Sequence, residues 1–140
     1  MSSRRMFAIK VEVTDPRAET FSFREQKTMY GGKTIAADDV IFIFASENEG
    51  GSGLVALGTV VSAKAVPRRP KIERQTPRVS ITVRRTAAAK RRLGRADLKP
   101  FSDWNDGRPE TELNFKFYRQ ATNKIVGVSE RVAAFLRGFF

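Results

Sequence analysis

Lysine and arginine side chains are concentrated in one part of this 140-residue sequence. Residues 64–95 hold twelve of them and a single acid, Glu73, whereas the rest of the chain holds fourteen bases and fourteen acids. The whole excess of positive charge, +11, therefore lies in this stretch, which we call the basic segment. Such a pattern attracts polyanions and predicts salt-dependent binding through release of counterions. The bases of the segment are Lys64, Arg68, Arg69, Lys71, Arg74, Arg78, Arg84, Arg85, Lys90, Arg91, Arg92 and Arg95.

We expect the basic segment to contact the backbone of a nucleic acid, RNA or DNA, through all of these bases except Lys64. Two other interpretations stay open. The segment is then either a solvated surface without a specific partner, or a surface for other anions such as a ribosome or anionic lipid.

The absence of cysteine and histidine removes several kinds of chemistry. Without them a chain has no disulfide, no thiolate or imidazole metal site and no histidine-activated nucleophile. We therefore expect no metal and no cofactor. The apolar run that begins at Phe7 is interrupted by Lys10 and Glu12, and no run nears the roughly 18 residues of a membrane span. We expect no membrane partner and a cytoplasmic protein.

One short motif suggests enzymatic chemistry. The run Gly31-Gly32-Lys33-Thr34 resembles the end of a phosphate-binding loop, but Lys27 stands where such a loop needs glycine, and a strand follows instead of a helix. A lysine beside a threonine could still activate a hydroxyl group or a water, with Glu47 as an acid-base group. The set Lys33, Thr34 and Glu47 is the enzymatic alternative.

Three aromatic residues lie where core packing does not explain them. Trp104 is in a polar loop, Tyr30 precedes the Gly31-Gly32 turn, and Tyr118 ends a predicted strand beside Arg119. Aromatic faces beside cationic grooves stack unpaired bases. The alternative for Trp104 is that it plugs one end of the fold.

The periodicity of apolar residues predicts a mixed α+β chain that forms a single domain over residues 1–140. Continuous apolar residues over 40–45 predict a strand buried on both faces. Ser129 caps a final helix whose apolar face holds Val132, Phe135, Leu136 and Phe139. The remaining predicted strands are 7–13, 54–63, 79–83 and a hairpin of 113–117 with 124–128; the remaining predicted helices are 17–29 and 86–93. About six strands with short flanking helices indicate a curled, mixed β-barrel.

Three stretches of the sequence resemble the EVE domain of the PUA-like superfamily. The first is residues 39–61, which contain an aromatic strand that ends in Ser46 and a second strand that ends in Val60-Val61. The other two are residues 98–101 and residues 117–129. The resemblance implies a PUA-like barrel with an aromatic and polar pocket for a modified base, flipped out or single-stranded. The candidate pocket residues are Ser46, Asn48, Trp104, Tyr118, Tyr30 and Phe44.

These observations predict a nucleic-acid-binding module without catalytic activity. The alternative resembles the related ASCH group, and is a small amidohydrolase that acts on a modified nucleoside through Lys33, Thr34 and Glu47. A third hypothesis is a ribosome-associated adaptor whose pocket is vestigial.

Overall fold

Six strands close into a mixed β-barrel in a computed structural model that describes residues 5–68, 70–71, 75–119 and 124–140. Their order around the barrel is β1-β3-β4-β5-β2-β6. β1 runs parallel to β3 and β2 runs parallel to β6, while the other pairs are antiparallel. The strands are β1 (Met6–Val11), β2 (Thr20–Met29), β3 (Val40–Ala45), β4 (Gly53–Ala65), β5 (Arg78–Ala88) and β6 (Ile125–Gly127).

Three short α-helices pack against one side of the barrel. They are α1 (Arg95–Leu98), α2 (Pro109–Asn114) and α3 (Glu130–Arg137), with a π-helical turn over Phe115–Arg119 directly after α2. Two 3-10 turns, Gly32–Thr34 and Glu47–Glu49, lie before and after β3. The final helix is as predicted, because the Ser129 hydroxyl accepts a hydrogen bond from the Val132 amide and the predicted apolar face is turned to the core.

The apolar side chains form two cores, one inside the barrel and one between the barrel and the helices. β3 contributes to both, since Ile41 and Ile43 point into the barrel while Phe42 and Phe44 point toward the helices. This confirms the prediction of a strand buried on both faces. β1 alternates in the same way, and its helix-side position after Ala8 is Lys10.

The predicted helix over 17–29 is wrong, because residues 20–29 form β2. Phe21 and Phe23 lie two residues apart, which puts both rings on the inner face of a strand and on different faces of a helix. Both are buried inside the barrel, and their rings stack with centroids 5.9 Å apart. Burial of these two rings inside the barrel therefore favours a strand over a helix at this position.

The predicted helix over 86–93 is also wrong, because β5 continues to Ala88. Ala87 and Ala88 pair with Leu57 and Ala56 of β4, and the Thr86 hydroxyl donates to the Leu57 carbonyl. The helix preference of alanine amounts to only tenths of a kcal/mol per residue, which strand pairing outweighs.

The predicted second hairpin is absent as well. Residues 113–117 belong to α2 and the π-helical turn, and β6 pairs with β1 and β2 instead. The spacing of Leu113 and Phe117 suits a helix as well as a strand, since residues four apart share a helix face. Pro109 at the first helical position favours the helix. The barrel thus has the expected six strands, with β2 in place of 113–117.

Candidate nucleic-acid interface

The basic segment follows the hairpin of β4 and β5 from one end to the other. Nine of its ten described bases are exposed, and Arg85 is half-buried. Arg69 and Arg74 lie outside the described residues. The exposed bases are Lys64, Arg68, Lys71, Arg78, Arg84, Lys90, Arg91, Arg92 and Arg95.

Two of these bases donate to backbone carbonyls, one in β2 and one at the end of α3. Arg78 donates to the Glu25 carbonyl over 2.8 Å, and Arg91 donates to the Gly138 carbonyl over 2.8 Å. Arg84 stands on the outer face of β5, because its neighbour Val83 points into the barrel. Arg78 and Arg84 lie six residues apart on β5, which is about 20 Å along the strand. We call the nine exposed bases the basic stripe.

The segment after β5 differs from the prediction, which put Arg91, Arg92 and Arg95 on or just after a helix over 86–93. Arg91 and Arg92 lie in a turn that follows β5, and Arg95 is the first residue of α1.

A second group of polar residues lies where β1 and β3 end. We call Lys10, Ser46, Glu47, Arg95 and Tyr118 the Tyr118 cluster. The Tyr118 hydroxyl donates to Glu47 Oε1 over 2.6 Å, and the Arg95 amide donates to both oxygens of the same carboxylate. Lys10 Nζ lies 4.5 Å from the centroid of the Tyr118 ring and donates to the Phe117 carbonyl. The cluster therefore joins β1, the turn after β3, α1 and the π-helical turn.

Burial perturbs the titration of two members of the Tyr118 cluster. Lys10 is only 4% exposed, and this burial, together with the nearby Arg95 guanidinium, lowers the pKa of its ammonium group. Burial and the hydrogen bond to Glu47 raise the pKa of the Tyr118 hydroxyl. Such shifts occur often at functional sites.

Ser46 is 1% exposed, and its hydroxyl has no hydrogen-bond partner in the described part of the chain. Its amide donates to the Val11 carbonyl, which fixes the residue at the end of β1. A buried hydroxyl without a partner costs about 1–3 kcal/mol. A ligand atom that forms a hydrogen bond with this hydroxyl would remove that cost.

Tyr30 and Trp104 lie in a different place, in a cleft of about 690 Å³ over α2 and α3. We call it the Trp104 cleft. The Gly127 amide donates to the Tyr30 carbonyl, and Gly127 pairs with Phe7 near the start of β1. The Tyr118 cluster lies at the other end of that strand, about 10 Å away along it.

The six candidate pocket residues thus fall into three settings. Asn48 and Tyr118 are linked through Arg95 and Glu47, and Ser46 directly precedes Glu47 in the chain. Trp104 and Tyr30 line the Trp104 cleft instead. Phe44 is fully buried against Phe117, with ring centroids 5.1 Å apart, and belongs to the core.

The enzymatic set is not brought together. Thr34 lies near the start of β1, where its carbonyl accepts from Arg5, and its hydroxyl donates to Gly31. Glu47 follows the far end of the parallel strand β3, about 20 Å away along a strand of six residues.

Lys33 lies instead with Lys27, Arg68 and Arg78 in a cleft of about 700 Å³ at the connector end of the hairpin. Glu25 is the one carboxylate among its lining residues. The cleft widens the basic stripe with two lysines that lie outside the basic segment in the sequence.

Lys10 is the site residue that sequence reasoning missed. A lysine that alternates with Ile9 and Val11 looks solvent-exposed. The available signal was Ala8, which shares the face of Lys10 and is not polar, so this face of the strand is a covered one.

Among the described residues, no helix is long and apolar enough to span a membrane, and no group of acidic side chains is placed to hold a metal ion.

Comparison with solved structures finds the same fold in several proteins. Human THYN1, in its crystal structure with DNA containing 5-methylcytosine, aligns at a TM-score of 0.64 and 15% identity over 96% of each chain. The DUF55 domain of human thymocyte nuclear protein 1 aligns at 0.64 and 16% identity over 97% of each chain. A hypothetical protein from Leishmania major aligns at 0.61 and 16% identity, over 97% of this chain and 94% of that one.

The sequence itself matches no protein-family model and no curated protein. The likeness is therefore one of structure, and it extends over nearly the whole chain. The closed barrel of six mixed strands with three short helices matches the THYN1 fold and confirms the predicted fold class. This chain therefore has the fold of THYN1 and of the DUF55 domain.

Proposed function

We propose that this protein is a nucleic-acid-binding module whose basic stripe contacts the phosphate backbone. The observation that carries the proposal is that the whole charge excess lies in the basic segment, where nine of the ten described bases are exposed on β5 and in the stretches before and after it. Fixed cations lose less conformational entropy on binding than a mobile tail, so a stripe held by the barrel suits a regular phosphate backbone. The complex of the THYN1 structure with DNA supports the same class of partner.

We further infer that the Tyr118 cluster reads a base, and that this base is a modified one. The buried Ser46 hydroxyl can bond to a base edge, and the Tyr118 ring and the Lys10 ammonium group supply a stacking face and a donor. In the structure the Tyr118 ring lies over Lys10. Rotation of this ring away from Lys10 would admit a base that is already out of a duplex.

The backbone contacts can be tested with a charge-removal variant. Arg84→Gln combined with Arg92→Gln removes two exposed cations of the stripe. The matched control, Arg137→Gln, removes an exposed cation of α3 that lies beside Met6. Fluorescence anisotropy with a labelled oligonucleotide should show weaker binding for the double variant, and a salt slope smaller by about one for each lost phosphate contact. Equal binding by the double variant and the wild type would contradict the proposed stripe.

The base-reading site can be tested with two oligonucleotides that differ only by cytosine and 5-methylcytosine. We expect tighter binding of the methylated one, and loss of that difference in Ser46→Ala. Ser22→Ala, on the outer face of β2, is the control and should keep it. If Ser46→Ala discriminates as well as the wild type does, Ser46 is not part of the reader.

A further inference from the structure

The Trp104 cleft contains two exposed large aromatic side chains. Trp104 is 63% exposed and Tyr30 is 39% exposed. The volume of the cleft, about 690 Å³, lies within the usual range for small-ligand sites. Isolated exposed aromatics are common on protein surfaces, but two that line one cleft indicate a binding surface.

The loop that carries Trp104 is fixed by its own hydrogen bonds. Asp103 accepts from the Asn105 amide, and Asp106 accepts from the Arg108 amide and the Thr111 hydroxyl. The indole makes an edge-to-face contact with Phe115, with ring centroids 4.6 Å apart and an angle of 79°. Trp104 is thus oriented in advance while most of its surface stays accessible.

Three cations line the same cleft. Lys116 Nζ lies 4.8 Å from the centroid of the Tyr30 ring, and Arg108 and Arg131 also line the cleft. The carboxylate of Glu112 is already engaged, because it accepts from the Ser129 amide, the Ser129 hydroxyl and Lys116. A ligand therefore meets aromatic surface next to cations, with Glu130 as the remaining acid of the lining.

We propose that the Trp104 cleft is a second base-binding site, which stacks an unpaired base of the strand whose backbone follows the basic stripe. Its ligand class is a nucleotide in single-stranded form, since a base offers a flat π-face and its phosphate pairs with Arg108 or Arg131. A cationic ligand is disfavoured because Lys116 already occupies the face of Tyr30. This inference rests on the proposed nucleic-acid binding.

The two base sites lie on either side of one short element. Lys116 of the π-helical turn reaches Tyr30 in the Trp104 cleft, and Tyr118 of the same turn reaches Lys10 in the Tyr118 cluster. The β1 positions next to the two sites, Phe7 and Lys10, lie about 10 Å apart, a distance that a few nucleotides of one extended strand can span. A single strand that occupies both sites has to be unpaired there, so the cleft predicts a preference for single-stranded over duplex nucleic acid.

Trp104 is the only tryptophan, and its fluorescence therefore reports on this cleft alone. We would titrate the full chain with a single-stranded oligonucleotide of about ten nucleotides, a length typical of such sites, and with its duplex. Binding is followed in parallel by the anisotropy of a label on the oligonucleotide. We expect the single strand to quench the tryptophan in step with binding, and the duplex to bind without quenching.

Variants give a second measurement. Trp104→Ala should weaken single-strand binding about five- to hundredfold, while Trp104→Phe should keep most of the affinity because it retains a stacking face. Val61→Ala is the matched control, since it shortens another exposed apolar side chain, on β4. It should bind like the wild type. Thermal unfolding of each variant checks that the fold is intact.

The outcomes separate the two proposals. Binding without quenching, or wild-type affinity in Trp104→Ala, overturns the second base site and leaves the nucleic-acid-binding function standing. The quenching result needs no variant and decides the question even if Trp104→Ala does not fold. Absence of binding to any oligonucleotide overturns the proposed function, and the second site with it.

Discussion

At the scale of single residues, the Tyr118 cluster contains two polar groups whose burial costs free energy. Lys10 is buried with a lowered pKa, and the Ser46 hydroxyl is buried without a partner in the described residues. Both arrangements cost free energy that apolar side chains would not. A cost of this kind is expected where a ligand later supplies the missing contacts.

Ser46→Ala should therefore leave the free energy of unfolding unchanged or raise it by about 1 kcal/mol, because it removes a buried hydroxyl without a partner. Ser129→Ala provides the contrast. It removes the cap of α3 and two contacts with Glu112, and should cost about 1–2 kcal/mol. Urea unfolding of both variants measures the difference. A large loss of stability in Ser46→Ala would mean that its hydroxyl serves the fold.

At the scale of elements, the approach of β4 to the segment before α1 depends on one glycine. Gly53 has a φ of +88°, and a Cβ atom there would overlap the carbonyl of Leu93 and the Cα of Gly94. The Leu54 amide donates to the same Leu93 carbonyl. This contact places Arg95 beside Glu47 at the Tyr118 cluster.

Gly53→Ala should accordingly lose more than about 2 kcal/mol of stability, from both the strained φ and the steric overlap. Gly50→Ala isolates the first contribution. Its φ is +85°, but a Cβ atom there meets open space, so the loss should be about 1 kcal/mol. Thermal or urea unfolding compares the two. Equal losses would show that the approach to Leu93 contributes nothing.

The contact between α2 and α3 has a pH dependence with a defined sign. Burial works to raise the pKa of Glu112, but hydrogen bonds from Ser129 and Lys116 outweigh it and hold the pKa below its ordinary value of 4.5. A carboxyl group with a depressed pKa in the folded state stabilises the protein fully when the pH is above the ordinary pKa of 4.5. This contribution is lost as the pH falls through the lower, folded value.

Glu112→Gln should therefore lower stability by about 1–2 kcal/mol at pH 7 and flatten the decline below about pH 4.5. Glu110→Gln, on the same helix, keeps the hydrogen bonds of Glu112. Its stability should therefore fall at low pH as steeply as that of the wild type. Unfolding curves from pH 3 to pH 7 test this. If the stability of Glu112→Gln falls at low pH as steeply as that of the wild type, Glu112 is not the source of this pH dependence.

Elements with one consistent pattern could be predicted from the sequence, and elements with two compatible patterns could not. The run of residues 40–45 and the capped final helix each allowed one interpretation, and both are confirmed. The spacing of Leu113 and Phe117 suits either a strand or a helix. In the structure both residues lie with Val126 and Leu136 in the core between the barrel and the helices, which favours the helix. β2 was missed although Phe21 and Phe23 have the spacing of a strand, because the rest of the strand, from Arg24 to Lys27, is polar and shows no apolar alternation.

The candidate site shows the same division. Trp104, Tyr30 and Tyr118 stand out in the sequence because they lie in polar surroundings, but no sequence pattern says which of them meet. Tyr118 meets Lys10 and Glu47 from the π-helical turn, whereas Trp104 and Tyr30 line one cleft, with Tyr30 bonded to the last residue of β6. Residue types were thus predictable, and their grouping depended on the topology of the barrel.

At the scale of the whole molecule, the closed barrel determines which side of the protein carries the exposed bases. The β4–β5 hairpin carries the basic stripe, and the helical layer covers β1 and β3 on the other side. The Tyr118 cluster and the Arg91 contact with Gly138 connect the end of the stripe to that layer.

The central claim is that the stripe binds nucleic acid by displacing counterions, and the salt dependence of binding tests it most directly. We would measure the affinity of the wild-type protein for one labelled oligonucleotide by anisotropy across a series of salt concentrations. If about five phosphates are contacted, the logarithm of the binding constant should fall linearly with that of the salt concentration, with a slope of about −4. A slope near zero, or no binding at low salt to any single- or double-stranded oligonucleotide, would contradict the account.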